Sequence, residues 1–344
     1  MKDLPRYDIS KSYEWNYDNA PPPQDVEVAT VPGNWSLCGL EVDSPLGIPA
    51  GPLLNGAWCL YYASLGFDVI TYKTVRSGER LCYPLPNLQP VSCGELKGGE
   101  PTVPSSAEML GSWAVSFGMP SKAPEKWQAD VQQTRDALPN GKLLIVSTVG
   151  TMQEHWSIDD LAHDYGECCR MAVESGADVV EINFSCPNVA TCDGQLYQNP
   201  QDSGRVAEIV RGKIGDAPLV VKVGHILDTE VIPQLVSELD RSVQAIAMTN
   251  SIATHVTDSS GETMFSGQLR GICGEATREA SLEQVRHFAK PIAEQNSAIE
   301  IIGVGGIGSL SHVQQFLDAG AKSTHLATAA MVDPSVALEI RRSW

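Results

Sequence analysis

The chain has 344 residues, enough for one large α/β barrel with insertions. Its 42 acidic against 24 basic side chains give a formal net charge of −18, which argues against nucleic acid and anionic membrane as partners. No apolar run approaches a membrane span, the first residues lack a signal-peptide core, and the nine cysteines form no Cys-x-x-Cys pair; a soluble, cytoplasmic, reduced setting is expected, without zinc, iron–sulfur or disulfide frameworks.

Residues 1–43 read as a polar, irregular extension, with a small hairpin over Asn34–Val42 turning at Cys38-Gly39. A barrel unit over 44–344 follows. Its first strand is expected at Ser44–Ile48, ahead of the small-residue turn Pro49-Ala50-Gly51-Pro52, and a helix at Ala57–Leu65. The second strand, Asp68–Thr74, alternates Val69, Thr71 and Lys73 with Ile70, Tyr72 and Thr74. Lys73 at the end of an apolar strand needs an anion or an acceptor, because a buried ammonium is expensive. Residues 75–124, rich in Pro and Gly, read as a long loop of functional length that holds Ser116-Phe-Gly-Met-Pro-Ser121. Regular alternation then sets in. Helices at Pro124–Leu138, Ile158–Ser175, Ser203–Ile214, Thr229–Leu239, Arg278–Gln295 and Leu310–Ala319 lead to strands at Leu143–Thr148, 179–185, Leu219–Val223, Ala245–Asn250, Glu300–Val304 and Ser323–Ala327. Eight β-α units predict a closed parallel (β/α)8 TIM barrel. An open doubly wound sheet would more naturally carry a Gly-x-Gly-x-x-Gly turn after its first strand, and none is there.

The most informative stretch is Val179-Val-Glu-Ile-Asn-Phe-Ser-Cys-Pro-Asn188. Val180, Ile182 and Phe184 share one face by the period of two and suit a helix layer. Glu181, Asn183 and Ser185 share the other, which must be a site or carry partners for them. Cys186 ends the strand before Pro187. Active sites of such barrels lie at the C-terminal strand ends, where Lys73, Asn183, Cys186, Asn188, Lys222, Asn250 and Ser251 fall. Lys222 interrupts an otherwise apolar strand. Ile302-Gly-Val-Gly305-Gly306-Ile307 opens a helix and reads as a phosphate cradle, with Thr328 of Ala327-Thr328-Ala329 adding a hydroxyl. None of the seven histidines has ligand spacing; His225 is the best placed.

Asn183-Phe-Ser-Cys-Pro-Asn188 resembles the active-site segment of the dihydroorotate dehydrogenases, FMN enzymes built on a (β/α)8 barrel. The resemblance runs from about Ser44 to Ala329 and points to the soluble class, in which the base is Cys. It implies that Cys186 takes the proton from C5 of dihydroorotate while hydride passes from C6 to flavin N5, giving orotate for pyrimidine biosynthesis. Asn183, Asn188, Asn250 and Ser251 then hold the substrate, with backbone donors from Gly118 and Met119. Lys73, placed at flavin and substrate alike, and Lys222 stabilise negative charge. Ala50, Gly51, Lys73, Lys222, Gly274 (of the turn Gly271-Ile-Cys273-Gly274), Gly305, Gly306, Ala327 and Thr328 hold FMN. The hairpin plugs the barrel bottom, and a homodimer is implied. The chain departs from the family where its substrate asparagines would fall, at Val115 and Ser121. Cys192, six residues beyond Cys186, is a second choice for the proton-transfer residue, as in the related dihydropyrimidine dehydrogenases. Two other functions remain open: a related FMN oxidoreductase acting on another dihydropyrimidine, cyclic amide or activated alkene, and a non-redox phosphate-binding barrel such as an aldolase.

Overall fold

The computed structural model describes residues 4–185 and 195–344. Eight parallel strands close into a barrel: Leu46–Ile48, Val69–Val75, Leu143–Thr148, Val179–Asn183, Leu219–Lys222, Ala245–Met248, Glu300–Val304 and Ser323–His325. Each pairs with the next in the chain, and the eighth returns to the first. The expected (β/α)8 class is the observed one.

The helices between them start where the sequence supplies caps. The side chains of Asn55, Ser157, Asn199 and Ser309 accept hydrogen bonds from the first turns of Gly56–Ser64, Ile158–Glu174, Pro200–Ile214 and Leu310–Asp318. Ser157 and Asp160 cap each other reciprocally. Both faces of the barrel strands are buried, which is why they read as continuous apolar runs. One alternate set, including Ile70, Tyr72, Val146, Val180 and Ile182, packs with helix residues such as Trp127, Leu161 and Tyr165. The other set, including Val69, Leu143, Ile145, Val179, Val220 and Ile302, forms a separate cluster inside the barrel.

Leu37 and Val42 join that inner cluster from a hairpin formed by Trp35–Leu37 and Leu40–Val42. Its two-residue turn has Cys38 at φ 53° and Gly39 at φ 78°, as a type I′ turn demands. The hairpin covers the N-terminal end of the barrel, so the open end is the one where the strands finish.

Asp68 ties the short first strand in place. Its carboxylate accepts from Ser44 Oγ (2.5 Å) and Lys142 Nζ (2.5 Å) and pairs with the buried Arg341 guanidinium. Arg341 also donates to Gly66 O at 2.7 Å and Ala29 O at 2.8 Å. One buried cluster therefore links the N-terminal extension, the starts of three barrel strands and the C-terminal helix Val336–Ser343.

Two regions differ from expectation. The 75–124 stretch is not one loop. Leu88–Pro90, Thr102–Pro104 and Ser112–Val115 join Ile252–Thr257 and Arg270–Gly274 in a five-stranded sheet built from the excursions after the second and sixth barrel strands. These strands are short and their partners distant in sequence, so no local periodicity announced them. The N-terminal extension holds a helix, Tyr13–Asp18, capped by Ser12. Its carbonyls accept from Trp58 Nε1 (Asn16 O, 2.9 Å) and Asn55 Nδ2 (Tyr17 O, 2.8 Å), so tertiary contacts hold a helix that its own pattern does not signal.

His325 lies in register with Val304 and Gly47, and a Cβ on Gly47 would come within 2.2 Å of its ring. Burial pushes its imidazole down to about 3, and the charge of Lys222 adds to the effect. Two predictions follow from these buried groups. Asp68→Ala leaves Arg341 uncompensated and should lower stability by roughly 3–5 kcal/mol, read from urea unfolding. Because His325 takes up a proton only in the unfolded chain between pH about 6.5 and about 3, it should remove about 1.4 kcal/mol of stability per pH unit as pH falls through that window. His325→Gln should flatten that part of the stability profile measured from pH 7 to 5.

Candidate active site

The strand ends deliver four side chains to one place. Lys73 leaves the second barrel strand, Asn183 the fourth, Lys222 the fifth, and Asn250 follows the sixth. All four line a cavity of about 90 Å³, together with Ala50, Gly51, Gly118, Met119 and Ser251. Every described residue expected to meet substrate therefore meets there. Thr74, Val115, Phe117, Ser185, Gly271 and Cys273 complete the wall.

Both lysines are about 95% buried, each 5% exposed. The Lys73 ammonium lies 5.9 Å from the centroid of Phe117, and its backbone N–H donates to Leu53 O at 3.0 Å. Lys222 stands in register between Asn183 and Ala247. Among the described residues no acceptor is hydrogen-bonded to its ammonium, so its charge is directed at the cavity. Two positive groups in a desolvated site favour an anionic ligand, or negative charge that develops there. Cys273 is beside them, but burial pushes its thiol up to about 11 despite Lys222, which keeps it protonated at neutral pH.

The amides form a small network around Ser185. Asn183 Oδ1 accepts from Ser185 N at 3.0 Å and from its hydroxyl at 3.3 Å. Asn250 Nδ2 donates to Ser185 O at 2.7 Å. The Asn183 carbonyl accepts from Tyr165 OH at 3.0 Å, in the helix behind the strand. Ser185 is thus pinned on both sides of its backbone, immediately before the segment that carries Cys186, Asn188 and Cys192. Those three residues lie outside the described residues.

The loop that faces this network turns through two left-handed residues, Gly118 at φ 73° and Met119 at φ 49°. A side chain on Gly118 would strike the Tyr83 ring at 2.6 Å, so glycine is required by both backbone and space. Arg270 Nε donates to Ser116 Oγ at 2.8 Å, and Asn87 Nδ2 to Ser116 O at 3.1 Å. Of the two positions noted as departures, Val115 lines the cavity, whereas Ser121 does not. The Ser121 hydroxyl accepts from Arg76 N at 3.1 Å and donates to Lys122 O at 2.9 Å, holding the loop from behind.

A second cavity, of about 270 Å³, shares Asn250 and Cys273 with the first. Its walls include Gly274, Gly305, Gly306, Ala327 and Thr328, all expected to hold FMN, together with Gly308 and Thr249, which sequence reasoning missed. Gly305 has φ 129°, and a Cβ there would lie 2.1 Å from Ser281 Oγ. The hydroxyls of Thr249 and Thr328 are buried with no hydrogen-bond partner among the described residues. Buried hydroxyls lacking partners beside a glycine turn at the start of Leu310–Asp318 fit an elongated ligand with a phosphate at one end. His225 belongs to neither cavity; its Nε2 lies 2.8 Å from Lys97 O. Among the described residues no group of three or more His, Cys, Asp or Glu is placed to hold a metal, and no helix is long and apolar enough to cross a membrane.

A family model described as dihydroorotate dehydrogenase matches residues 34–343. A dihydroorotate dehydrogenase of Dictyostelium discoideum is 34% identical, over 97% of this chain and 96% of that one. A dihydroorotate dehydrogenase B (NAD(+)) catalytic subunit of Solidesulfovibrio magneticus is 24% identical, over 88% of this chain and 89% of its own. Among solved structures, a dihydroorotate dehydrogenase of Eimeria tenella in complex with ferulenol superposes with a TM-score of 0.74 at 18% identity, covering 96% of this chain and 88% of that one, a likeness of fold. The chain belongs to the dihydroorotate dehydrogenase family, flavin-dependent oxidoreductases that act on CH–CH groups.

Proposed function

We propose that this protein binds FMN and oxidises dihydroorotate to orotate. The observation that carries the reading is the meeting of Lys73, Asn183, Lys222 and Asn250, from the ends of four barrel strands, in a cavity that shares Asn250 and Cys273 with a glycine-lined one. Ala50, Gly51, Lys73 and Lys222 would border the flavin ring, while Gly274, Gly305, Gly306, Ala327 and Thr328 would hold its phosphate tail. When bound, FMN would supply the two-electron acceptor beside the substrate.

The chain's own residues do the rest. Asn183, Asn188, Asn250 and Ser251 hold the dihydropyrimidine ring of the substrate by hydrogen bonds, and the Gly118–Met119 turn adds backbone donors. Cys186, as thiolate, removes the C5 proton; the pinned Ser185 fixes where the chain enters that segment. Lys73 and Lys222 stabilise the negative charge that accumulates in the cavity during oxidation. Cys273, held protonated, is no rival base. Membership of the family sets the aldolase reading aside. A related activity on another dihydropyrimidine, cyclic amide or activated alkene draws support from Val115, an apolar group on the cavity wall where an amide was expected. We further propose a cytoplasmic homodimer, to be checked by sedimentation.

Three measurements test the reading. The purified protein should show a flavin spectrum that bleaches promptly on anaerobic addition of dihydroorotate. A protein that stays yellow with dihydroorotate but bleaches with another dihydropyrimidine would move the assignment to the second reading. Cys186→Ser should keep its flavin but slow flavin reduction, and reduction at the parental rate would refute the base role. Thr328→Val removes a buried hydroxyl that lacks a partner, so apoprotein stability should hold while the Kd for FMN rises about tenfold. An unchanged Kd would remove Thr328 from the phosphate site.

A further inference from the structure

The loop on the substrate side is braced by a part of the chain that lies far away in sequence. Tyr7 and Tyr13 of the N-terminal segment meet Phe117 edge-on, with ring centroids 6.0 and 5.9 Å away and planes at 77° and 68°. Phe117 in turn lines the substrate cavity and stands beneath the Lys73 ammonium. All three rings are buried.

The segment has its own anchors on the barrel. Tyr61 OH donates to Pro5 O at 2.5 Å, and Arg6 Nη1 donates to Val332 O at 3.0 Å. The helix Tyr13–Asp18 is fastened to Gly56–Ser64 by Trp58 and Asn55. None of these bonds involves the 115–121 loop, so the segment is a fixed wall against which Phe117 rests. Phe117 has no polar side-chain atom to hold it, and it borders empty space. Its carbonyl accepts from Tyr83 N at 3.1 Å, which ties the backbone, but the ring is held by packing alone, and without the two tyrosine rings behind it the ring is freer to shift toward or away from the cavity. Gly118 and Met119 follow it directly, and Lys73 lies over it, so any shift is passed to the donors and the charge that face the substrate.

We propose that the N-terminal segment is a working part of the substrate site: Tyr7 and Tyr13 are positioning residues that fix Phe117, and through it the Gly118–Met119 turn and the Lys73 ammonium, against a flat anionic ring. The proposal rests on the dihydroorotate reading above. It assigns to residues ahead of the barrel a share in substrate affinity.

The test uses the FMN-loaded protein and orotate as the probe. The Kd is read from the change in flavin absorbance, beside KM and kcat for dihydroorotate and backbone hydrogen exchange of residues 112–121. Tyr7→Ala and Tyr13→Ala should each raise Kd and KM roughly three- to tenfold, with flavin content retained and any fall in kcat smaller than the rise in KM, and should speed exchange in that peptide. Tyr13→Phe, which keeps the ring, should behave as the parent. Phe117→Leu should weaken orotate binding at least as much, and adding Tyr13→Ala to it should have little further effect. Parental Kd values in both alanine variants would overturn the proposal, as would effects that add fully to those of Phe117→Leu. Where an alanine variant fails to fold or hold flavin, Tyr7→Leu and Tyr13→Leu are read by the same criteria. A parent that binds no orotate counts against the substrate assignment; exchange in the 112–121 peptide then decides the bracing by itself, and parental exchange in the tyrosine variants overturns it.

Discussion

The barrel depends on closing at its weakest seam. Its first strand, Leu46–Ile48, has three residues and pairs with each neighbour over only two positions. So short a ladder is weak by itself, and the buried carboxylate of Asp68 supplies what it lacks. Asp68 holds Ser44, Lys142 and Arg341 together at the end of the barrel opposite the site. A pair of this kind adds less to net stability than its Coulomb energy implies, because both charges are desolvated. Its value is in specificity: in the closed barrel Asp68 holds all three partners at once.

With one end closed by the hairpin and this cluster, the polar side chains of the strands are left to the other end. There the barrel tolerates two ammonium groups with very little exposure. Lys222, whose ammonium has no hydrogen-bond acceptor among the described residues, is costly to bury, and the positive charge that both lysines bring to the cavity is the sense in which the site is prepared for an anionic ligand. The same reasoning covers the hydroxyls of Thr249 and Thr328, which are buried without protein partners among the described residues. A stable protein keeps few such groups, and these two lie where a cofactor phosphate would satisfy them.

Rigid elements set the strand-end groups, whereas loops and the N-terminal segment set the roof. The five-stranded sheet fixes the start of the substrate loop at Val115, which pairs with Leu88 and Gly271. The tyrosines fix Phe117 from outside. The site is therefore shared between the strand ends of the barrel scaffold and the loops and strands that roof it, the kind of segment in which specificity is usually set.

The sequence alone determined the eight strands, the helices between them, and the strand ends that carry Lys73, Asn183, Lys222 and Asn250. These were legible because period and apolar runs are local properties. Six residues, Asn183 to Asn188, carried the family resemblance. Tertiary structure decided what depends on distant partners. The 75–124 stretch became three strands because their hydrogen-bonding edges lie beyond residue 250 or elsewhere in the same excursion. Tyr13–Asp18 became a helix because the side chains of Trp58 and Asn55 hold it. Val115 and Ser121 looked equivalent as departures from the family pattern, yet only Val115 faces the cavity. His325 looked like one unremarkable histidine among seven, and only closure placed it against Gly47 inside the barrel. Which face a side chain presents can be read from its period; what stands opposite is known only once the barrel has closed.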